Sequence, residues 1–342
     1  MDQTSDPRGG IDVRTGTRAG RGRGVSVAAV LALVAAGCGG PDDGGGFTTE
    51  LQLGTGSTGG VYFPLGQEYA TIFTDTIDVD GLSVSAVETG ASVENLAKIA
   101  RGELQLGIAQ HNTAQDAVAG TGEFEGAAVD NVGFLGSLYP EAAQIITLES
   151  TGIESVADLE GATVSIGPPG GGTRQAAERI LAAYGLDQGS YTALEEGFGD
   201  ARTKLQDGNA DASIEILGVP AASLNELAAT TGEVRLVPLD DERIDAIVTD
   251  GGLTEYEIPA GTYDFLDEPV PTVSVFAAMY ASTTQVSEEL GYEITRALYT
   301  GADSLTLPQK DLITLDDATL GRGEVPLHPG AERYFREQGL LD

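Results

Sequence analysis

The chain has 342 residues, 41% of them hydrophobic, which is enough to bury a large core and suggests two or three domains. Its 53 acidic residues outweigh 18 basic ones, for a formal net charge of −35, and this makes nucleic acid a poor partner, because a phosphate backbone needs a positive surface. Such a charge suits solubility in a salty medium, and it requires any anionic ligand to be captured locally, against the general field.

The N-terminus reads as an export signal. Arg14, Arg18, Arg21 and Arg23 precede the apolar run VSVAAVLALVAAG, residues 25–37, which ends at the only cysteine, Cys38. The run is too short for a comfortable membrane span, and no other apolar stretch approaches the roughly 18 residues that a span requires. Gly37 before Cys38 resembles a bacterial lipobox, with Ala35 where Leu is usual. The resemblance implies lipidation of Cys38 and a lipid-anchored protein on the outer face of the cytoplasmic membrane. The alternative is ordinary signal cleavage nearby, leaving one free thiol. Residues 1–37 are thus read as a lipoprotein signal peptide and 38–47, which include GGPDDGGG, as a flexible tether with a mean reach of about 15 Å over eight residues. Removing residues 1–37 takes away five basic and three acidic residues and leaves 13 against 50.

From Leu51 onward, short strand-like runs alternate with helical patterns. LQLG at 51–54 is followed by Leu65, Tyr69, Ile72 and Phe73 at helical spacing, then LSVSAVE at 82–88, SVENLAKIARG at 92–102 and LQLGIAQ at 104–110. The order βαβαβ predicts a parallel sheet with helices on its faces. Ser92 is expected to cap its helix, with Glu94 in the first turn and Gly102 as the stop. A second series follows Tyr139-Pro140: AQIITLES, ESVADLEGATVSIG, the helix TRQAAERILAAYG, DARTKLQDGNA and the strand-like DASIEIL. An acidic, loop-rich stretch from Asp240 to Glu268 precedes the apolar PTVSVFAAMYAS and a last helical region around Leu290, Ile294, Ala297 and Leu298. There is no internal sequence repeat. Two α/β lobes with a ligand cleft between them are the economical arrangement, because open parallel sheets bind ligands at the carboxyl ends of their strands.

Two strand-to-helix turns carry the candidate chemistry: GTGSTGG at 54–60 and GPPGGGT at 167–173. Each either turns the chain or presents free N–H groups at a positive helix end, with the hydroxyls of Ser57, Thr58 or Thr173 nearby, which suits a carboxylate or phosphate. Neither fits the P-loop pattern, and although Gly54, Gly56 and Gly59 satisfy G-x-G-x-x-G by letter, a nicotinamide cofactor is not expected in an exported protein. Arg174, at the mouth of the second turn, is placed either to fork onto a carboxylate or to pair with the abundant surface acids. Tyr62 and Phe63 either wall a ligand or pack. Gln110, His111 and Asn112 end a strand at the edge where ligands bind, and a neutral amide there meets a ligand without burial of a charge. The two histidines, His111 and His328, lie far apart, no Cys/His cluster has metal-ligand spacing, no G-x-S-x-G elbow occurs, and no carboxylate pair stands out. The chain reads as a binder and not an enzyme, without catalytic residues, cofactor or metal site.

Six blocks in order resemble the TAXI group of solute-binding proteins of TRAP (tripartite ATP-independent periplasmic) transporters: GTGSTGGVYFPLG, ETGASVENLAKIARGELQLGIAQHN, GSLYPEAAQII, SVADLEGATVSIGPPGGGT, IPAGTY and LHPGAERYFREQG. The resemblance covers most of the chain after the signal. It implies an α/β, two-lobed periplasmic-binding-protein fold of the second type, with lobe 1 at 48–138 plus 270–342 and lobe 2 at 139–269. It further implies capture of a small organic anion (a dicarboxylate, 2-oxo acid or glutamate-like solute) for an ion-gradient-driven TRAP permease. Carried onto this sequence, the binding positions are Thr55, Ser57, Thr58, Gly59, Gly60 and Tyr62 in the first turn, Gln110 and Asn112, and Gly170, Gly171, Gly172, Thr173 and Arg174 in the second. Asn112 stands where the family often has Asp, and Gly171 where Ser is usual; both departures favour a plain carboxylate over an amino acid. The arginine clamp of other TRAP binding proteins is not identifiable. The alternative function is a ligand-sensing lipoprotein that signals to a membrane receptor.

Overall fold

The computed structural model describes residues 46–341; the expected signal peptide, Cys38 and most of the expected tether lie outside the described residues. The first series forms as β1 (Glu50–Gly54), α1 (Tyr62–Thr76), β2 (Ser83–Val87), α2 (Ser92–Ala100), β3 (Leu106–Gln110) and α3 (His111–Ala119). Leu65, Tyr69 and Phe73 recur every four residues on α1 and are buried, with the Tyr69 and Phe73 rings stacked 5.4 Å apart. A long strand β4 (Val132–Leu148) leads into β5 (Thr163–Ser165), α4 (Gly172–Ala183), β6 (Thr192–Leu194), α5 (Phe198–Gln206), β7 (Ala212–Gly218), α6 (Ala222–Thr231), β8 (Val234–Leu236), α7 (Asp241–Asp250) and β9 (Thr254–Ile258). A second long strand, β10 (Val270–Ser282), precedes α8 (Glu288–Thr300) and α9 (Pro329–Glu337).

All strands join one sheet in the order β2-β1-β3-β10-β4-β7-β5-β6, with β8 also on β4 and β9 on β10. The expected parallel pairing holds within β1, β2 and β3 and within β5, β6 and β7, but β4 and β10 run antiparallel to their neighbours, so the sheet is mixed. These two strands are what the halves share. The last part of β10 pairs with β3, from Ala277 opposite Gln110, whereas its first part pairs with β9, from Val270 opposite Ile258. Register shifts at Ala277/Ala278 and Met279/Tyr280 mark the change-over in its pairing with β4, and such irregularities let a strand bend. The expected chain crossings fall inside β4, at 138/139, and at the start of β10, at 269/270.

The buried apolar residues form two clusters. One contains Tyr69, Phe73, Phe134, Tyr280 and Phe335 and reaches Leu224 and Leu227 of α6. The other contains Val164, Ile180, Leu181, Ile214 and Ile216 beneath α4 and α7. The mouth of α2 departs from expectation: Ser92 is the first helical residue, and Ala91, at φ 77°, occupies the cap position without a side-chain bond. The Ser92 hydroxyl instead accepts the Gln110 N–H at 3.0 Å, and the Glu94 carboxylate reaches back to the Gly90 N–H at 2.7 Å. A non-glycine residue in the left-handed region costs on the order of 1–2 kcal/mol and persists only where surroundings hold it. Gly102, at φ 73°, follows the helix as its stop.

Candidate ligand-binding site

Five of the strand-to-helix turns of this sheet lead to the same place, while the β7–α6 turn opens instead onto a separate groove. The turns β1–α1, β2–α2, β3–α3, β5–α4 and β6–α5 all contribute to one narrow cavity of ≈ 30 Å³, through Tyr62, Ser92, Gln110, Gly172 and Phe198 respectively. That volume holds only one or two water-sized molecules, so a larger ligand enters by parting the walls. None of these five helices has a side-chain cap, a trait shared with α6 and α7, whereas Ser287 caps α8 and His328 caps α9. An uncapped N-terminus leaves backbone N–H groups and the positive end of the helix dipole for another acceptor. At α2 the Gly170 carbonyl already takes the Val93 and Glu94 N–H groups; the other four, aimed at one cavity, create a positive potential without a single cationic side chain.

Both glycine turns reach this cavity. Ser57, Gly60 and Tyr62 line it from one half, Gly171, Gly172 and Thr173 from the other, and Gln110 from the first half. The fit is close: a Cβ on Gly172 would overlap the Gln110 side chain, and one on Gly60 would lie 3.4 Å from the Phe198 ring. The Gly170 carbonyl oxygen accepts the Val93 and Glu94 N–H groups of α2 at 3.0 and 3.1 Å, so Gly170 joins the halves rather than lining the cavity.

The remaining expected positions lie elsewhere. Thr55 is buried beneath the turn, its hydroxyl donating to the Val87 carbonyl at 2.7 Å. Thr58 and Gly59 line a separate, wider groove with Arg202 and Glu226. Asn112 is buried behind Gln110 with its Oδ1 lacking a partner. Arg174 does not line the cavity: its guanidinium is shared among Glu123, Glu178 and Glu195 at 3.0, 3.8 and 3.3 Å, the surface pairing that was the alternative to a ligand clamp. His111 points away too. Its Nδ1 accepts the Phe276 N–H at 3.0 Å, and burial pushes its pKa down to about 4, so the ring is neutral. Among the described residues no group of side chains has the makings of a metal site.

Sequence reasoning missed Glu141, Phe198 and the loop at Gly90 and Ala91, all of which line the cavity. Glu141 is 2% exposed, and its Oε2 accepts a hydrogen bond from Tyr62 Oη at 2.7 Å. Burial pushes its pKa up to about 8, although the Tyr62 and Gln110 side chains, hydrogen-bonded to it, pull the other way. Its signal was a lone acid inside the otherwise uncharged run of β4. The signal for Phe198 was a third small turn, GFG at 197–199, ahead of a helix. A second buried carboxylate, Glu215, is paired with Arg202 and accepts from the Ser213 hydroxyl at 3.2 Å.

The model of the NMT1-like family matches residues 53–339. The chain belongs to the NMT1-like family. In fold, this NMT1-like protein is similar to PhnD1 from Prochlorococcus marinus in complex with methylphosphonate, at 11% identity and TM-score 0.53, over 86% of this chain and 99% of that one. It also matches the alkanesulfonate-binding protein SsuA from Xanthomonas axonopodis pv. citri bound to MOPS, at 17% identity and TM-score 0.44, over 69% of this chain and 66% of that one. A third match is an ABC transporter periplasmic binding protein from Brucella ovis with glutathione bound, at 15% identity and TM-score 0.44, over 74% and 67% of the two chains. The α/β periplasmic-binding-protein architecture, two lobes on a mixed sheet, is thus the fold of this NMT1-like chain. The expected membership of the TAXI group of TRAP transporters is corrected by the family match, and with it the TRAP permease as partner. Glycine turns at uncapped helices, in this chain order, are what the fold itself demands, so they report the architecture and not the class of transporter.

Proposed function

We propose that this protein is an exported solute-binding protein that captures a small oxyanion, a carboxylate foremost, between its lobes and presents it to a membrane transporter. The observation that carries the reading is the convergence of four open helix N-termini, those of α1, α3, α4 and α5, on one cavity walled from both halves of the sheet. Methylphosphonate, the molecule in complex with PhnD1, is itself a small oxyanion. The lobes in this reading are 48–138 with 270–342 and 139–269, hinged in β4 and β10, and closure brings the two glycine turns together on the ligand. Ser57, Gly60 and Tyr62 face Gly171, Gly172 and Thr173 across it, with Gln110 between them. Lipid anchoring at Cys38 would hold the protein at the outer face of the membrane.

A thermal-shift screen against carboxylates, sulfonates, phosphonates, amino acids and sugars tests this. A bound ligand at about 100 times its dissociation constant adds about 2.7 kcal/mol of stability, readily visible as a raised midpoint. Stabilisation confined to small oxyanions is expected; stabilisation by sugars alone, or by nothing in the screen, overturns the reading.

A further inference from the structure

Glu141 is the one acid among the residues lining the cavity, and no lysine, arginine or histidine lines it with them. The residue sits mid-strand on β4, opposite Gly218 on β7 and Val275 on β10. The groups that face it from the surrounding elements are all neutral. Tyr62 of α1 and Tyr139 of β4 have phenols pushed well up by burial, β10 sets Val275 opposite, Gln110 is an amide, and β7 and α5 present Ile216, Leu217 and Phe198. Arg202, the cation that reaches the first glycine turn, is committed to Glu215 and to the Gly59 carbonyl. An ionised Glu141 and a bound anion would therefore be two like charges in one closed, poorly hydrated space with no side-chain counter-ion, an arrangement in which one group holds a proton. The helix N-termini favour the ligand as the charged member, because their N–H groups are donors only.

We propose that Glu141 is the specificity-determining acid of this cleft: it stays protonated when a small oxyanion binds and donates its proton as a hydrogen bond to that anion, so ionisation of Glu141 excludes the ligand. This inference rests on the oxyanion reading of the site and names its chemistry: a monoanion with an acceptor oxygen facing β4 binds, while a cation or a ligand offering only a donor at that point does not. Burial, which pushes the pKa of this group to about 8, supports the protonated form at neutral pH. Gln110, hydrogen-bonded to Glu141, lines the same wall. It is 3% exposed and its Oε1 has no partner.

The test uses acetate, pyruvate and methanesulfonate, whose own charge does not change between about pH 6 and pH 9.5, with the purified protein and its Glu141→Gln variant. For whichever probe stabilises the protein, the affinity is expected to be flat up to about pH 7 and to fall roughly tenfold per pH unit above about pH 8. The amide of E141Q still donates, so the variant is expected to bind without that fall. Wild-type affinity that stays level across the range, a folded E141Q that keeps the wild-type fall, or affinity that rises with pH overturns the role of Glu141 while the oxyanion reading survives. If none of the probes, nor any other oxyanion of the wider screen, stabilises the protein at any pH, the oxyanion reading itself fails and the inference falls with it.

Discussion

Arg202 Nη1 donates to the Gly59 carbonyl oxygen at 2.8 Å, while its Nη2 pairs with Glu215 in the core. One guanidinium thus ties α5 and β7 to the first glycine turn, in the other half of the sheet. Glu215 is fully buried, and burial raises its pKa despite the arginine. Breaking a buried pair by removing one partner costs about 3–5 kcal/mol, because an uncompensated charge remains, whereas replacing both by apolar groups is often neutral. Arg202→Met should therefore lower the denaturation free energy by several kcal/mol, and adding Glu215→Met should restore most of it. Urea titration of the single and double variants checks this; equal losses in both would show that the ion pair is not the source of the effect.

Gly59 has no room for a side chain for a reason that lies across the cleft. A Cβ there would stand 2.6 Å from the Gly199 nitrogen and 3.1 Å from its Cα, and backbone cannot give way as a flexible side chain would. Gly59→Val should prop the lobes apart. A larger radius of gyration by small-angle scattering and loss of anion-induced stabilisation are expected, with the ligand-free melting temperature shifted by only a few degrees, since about 1 kcal/mol corresponds to roughly 2–4 °C at this size. Collapse of the fold would instead mark the turn as part of the core.

Glu141 also links stability to pH without any ligand. Its pKa in the fold, about 8, lies above its ordinary value, so its contribution to stability is intact below the ordinary carboxylate range and is lost as pH rises through about 8. Glu141→Gln removes that loss and can still accept from Tyr62. The variant should match the wild type near pH 5 and exceed it by several degrees at about pH 9. Parallel melting curves across that range would show that Glu141 ionises freely in the native protein.

The two histidines offer a test by magnetic resonance. Burial holds the His111 pKa near 4 and lowers that of His328, whose Nδ1 caps α9 by accepting the Gly330 N–H at 3.2 Å. Neither imidazole should titrate near pH 6.5. For a base with a depressed pKa the stability is present above the ordinary value and lost as pH falls through the native one, so acid unfolding is expected as pH approaches about 4. An imidazole resonance moving with a midpoint near 6.5 in folded protein would contradict the buried environment.

The strand and helix order of the first series was legible because periodicities of two and 3.6 are local. The direction of β4 and β10 was not. An apolar run such as PTVSVFAAMYAS announces burial, but its antiparallel pairing with β3 is a relation between residues more than 160 apart, as Ala277 and Gln110 are. The same division runs through the site. Gly60 and Gly172 were found from a short-range pattern, glycine between strand and helix. Glu141 and Phe198 were not, since only the fold sets an acid of β4 beside Tyr62 and an aromatic of α5 over Gly60. Arg174 shows the converse. Its position at a helix mouth suggested a ligand clamp, but Glu123 and Glu195, distant in sequence, occupy its guanidinium.

The convergent helix ends have a kinetic corollary. Dipolar attraction from uncapped N-termini fades within a turn or so of the helix, whereas a formal net charge of −35 repels anions over a full Debye length, about 8–10 Å at ordinary ionic strength. An approaching oxyanion therefore climbs a barrier before it meets the well. Added salt lowers the barrier outside and leaves the sheltered well largely intact, so capture should quicken as ionic strength rises, the reverse of an electrostatically steered encounter. The barrier also grows with each charge on the visitor, which turns the bulk acidity of the surface into a filter that passes singly charged cargo ahead of multiply charged competitors.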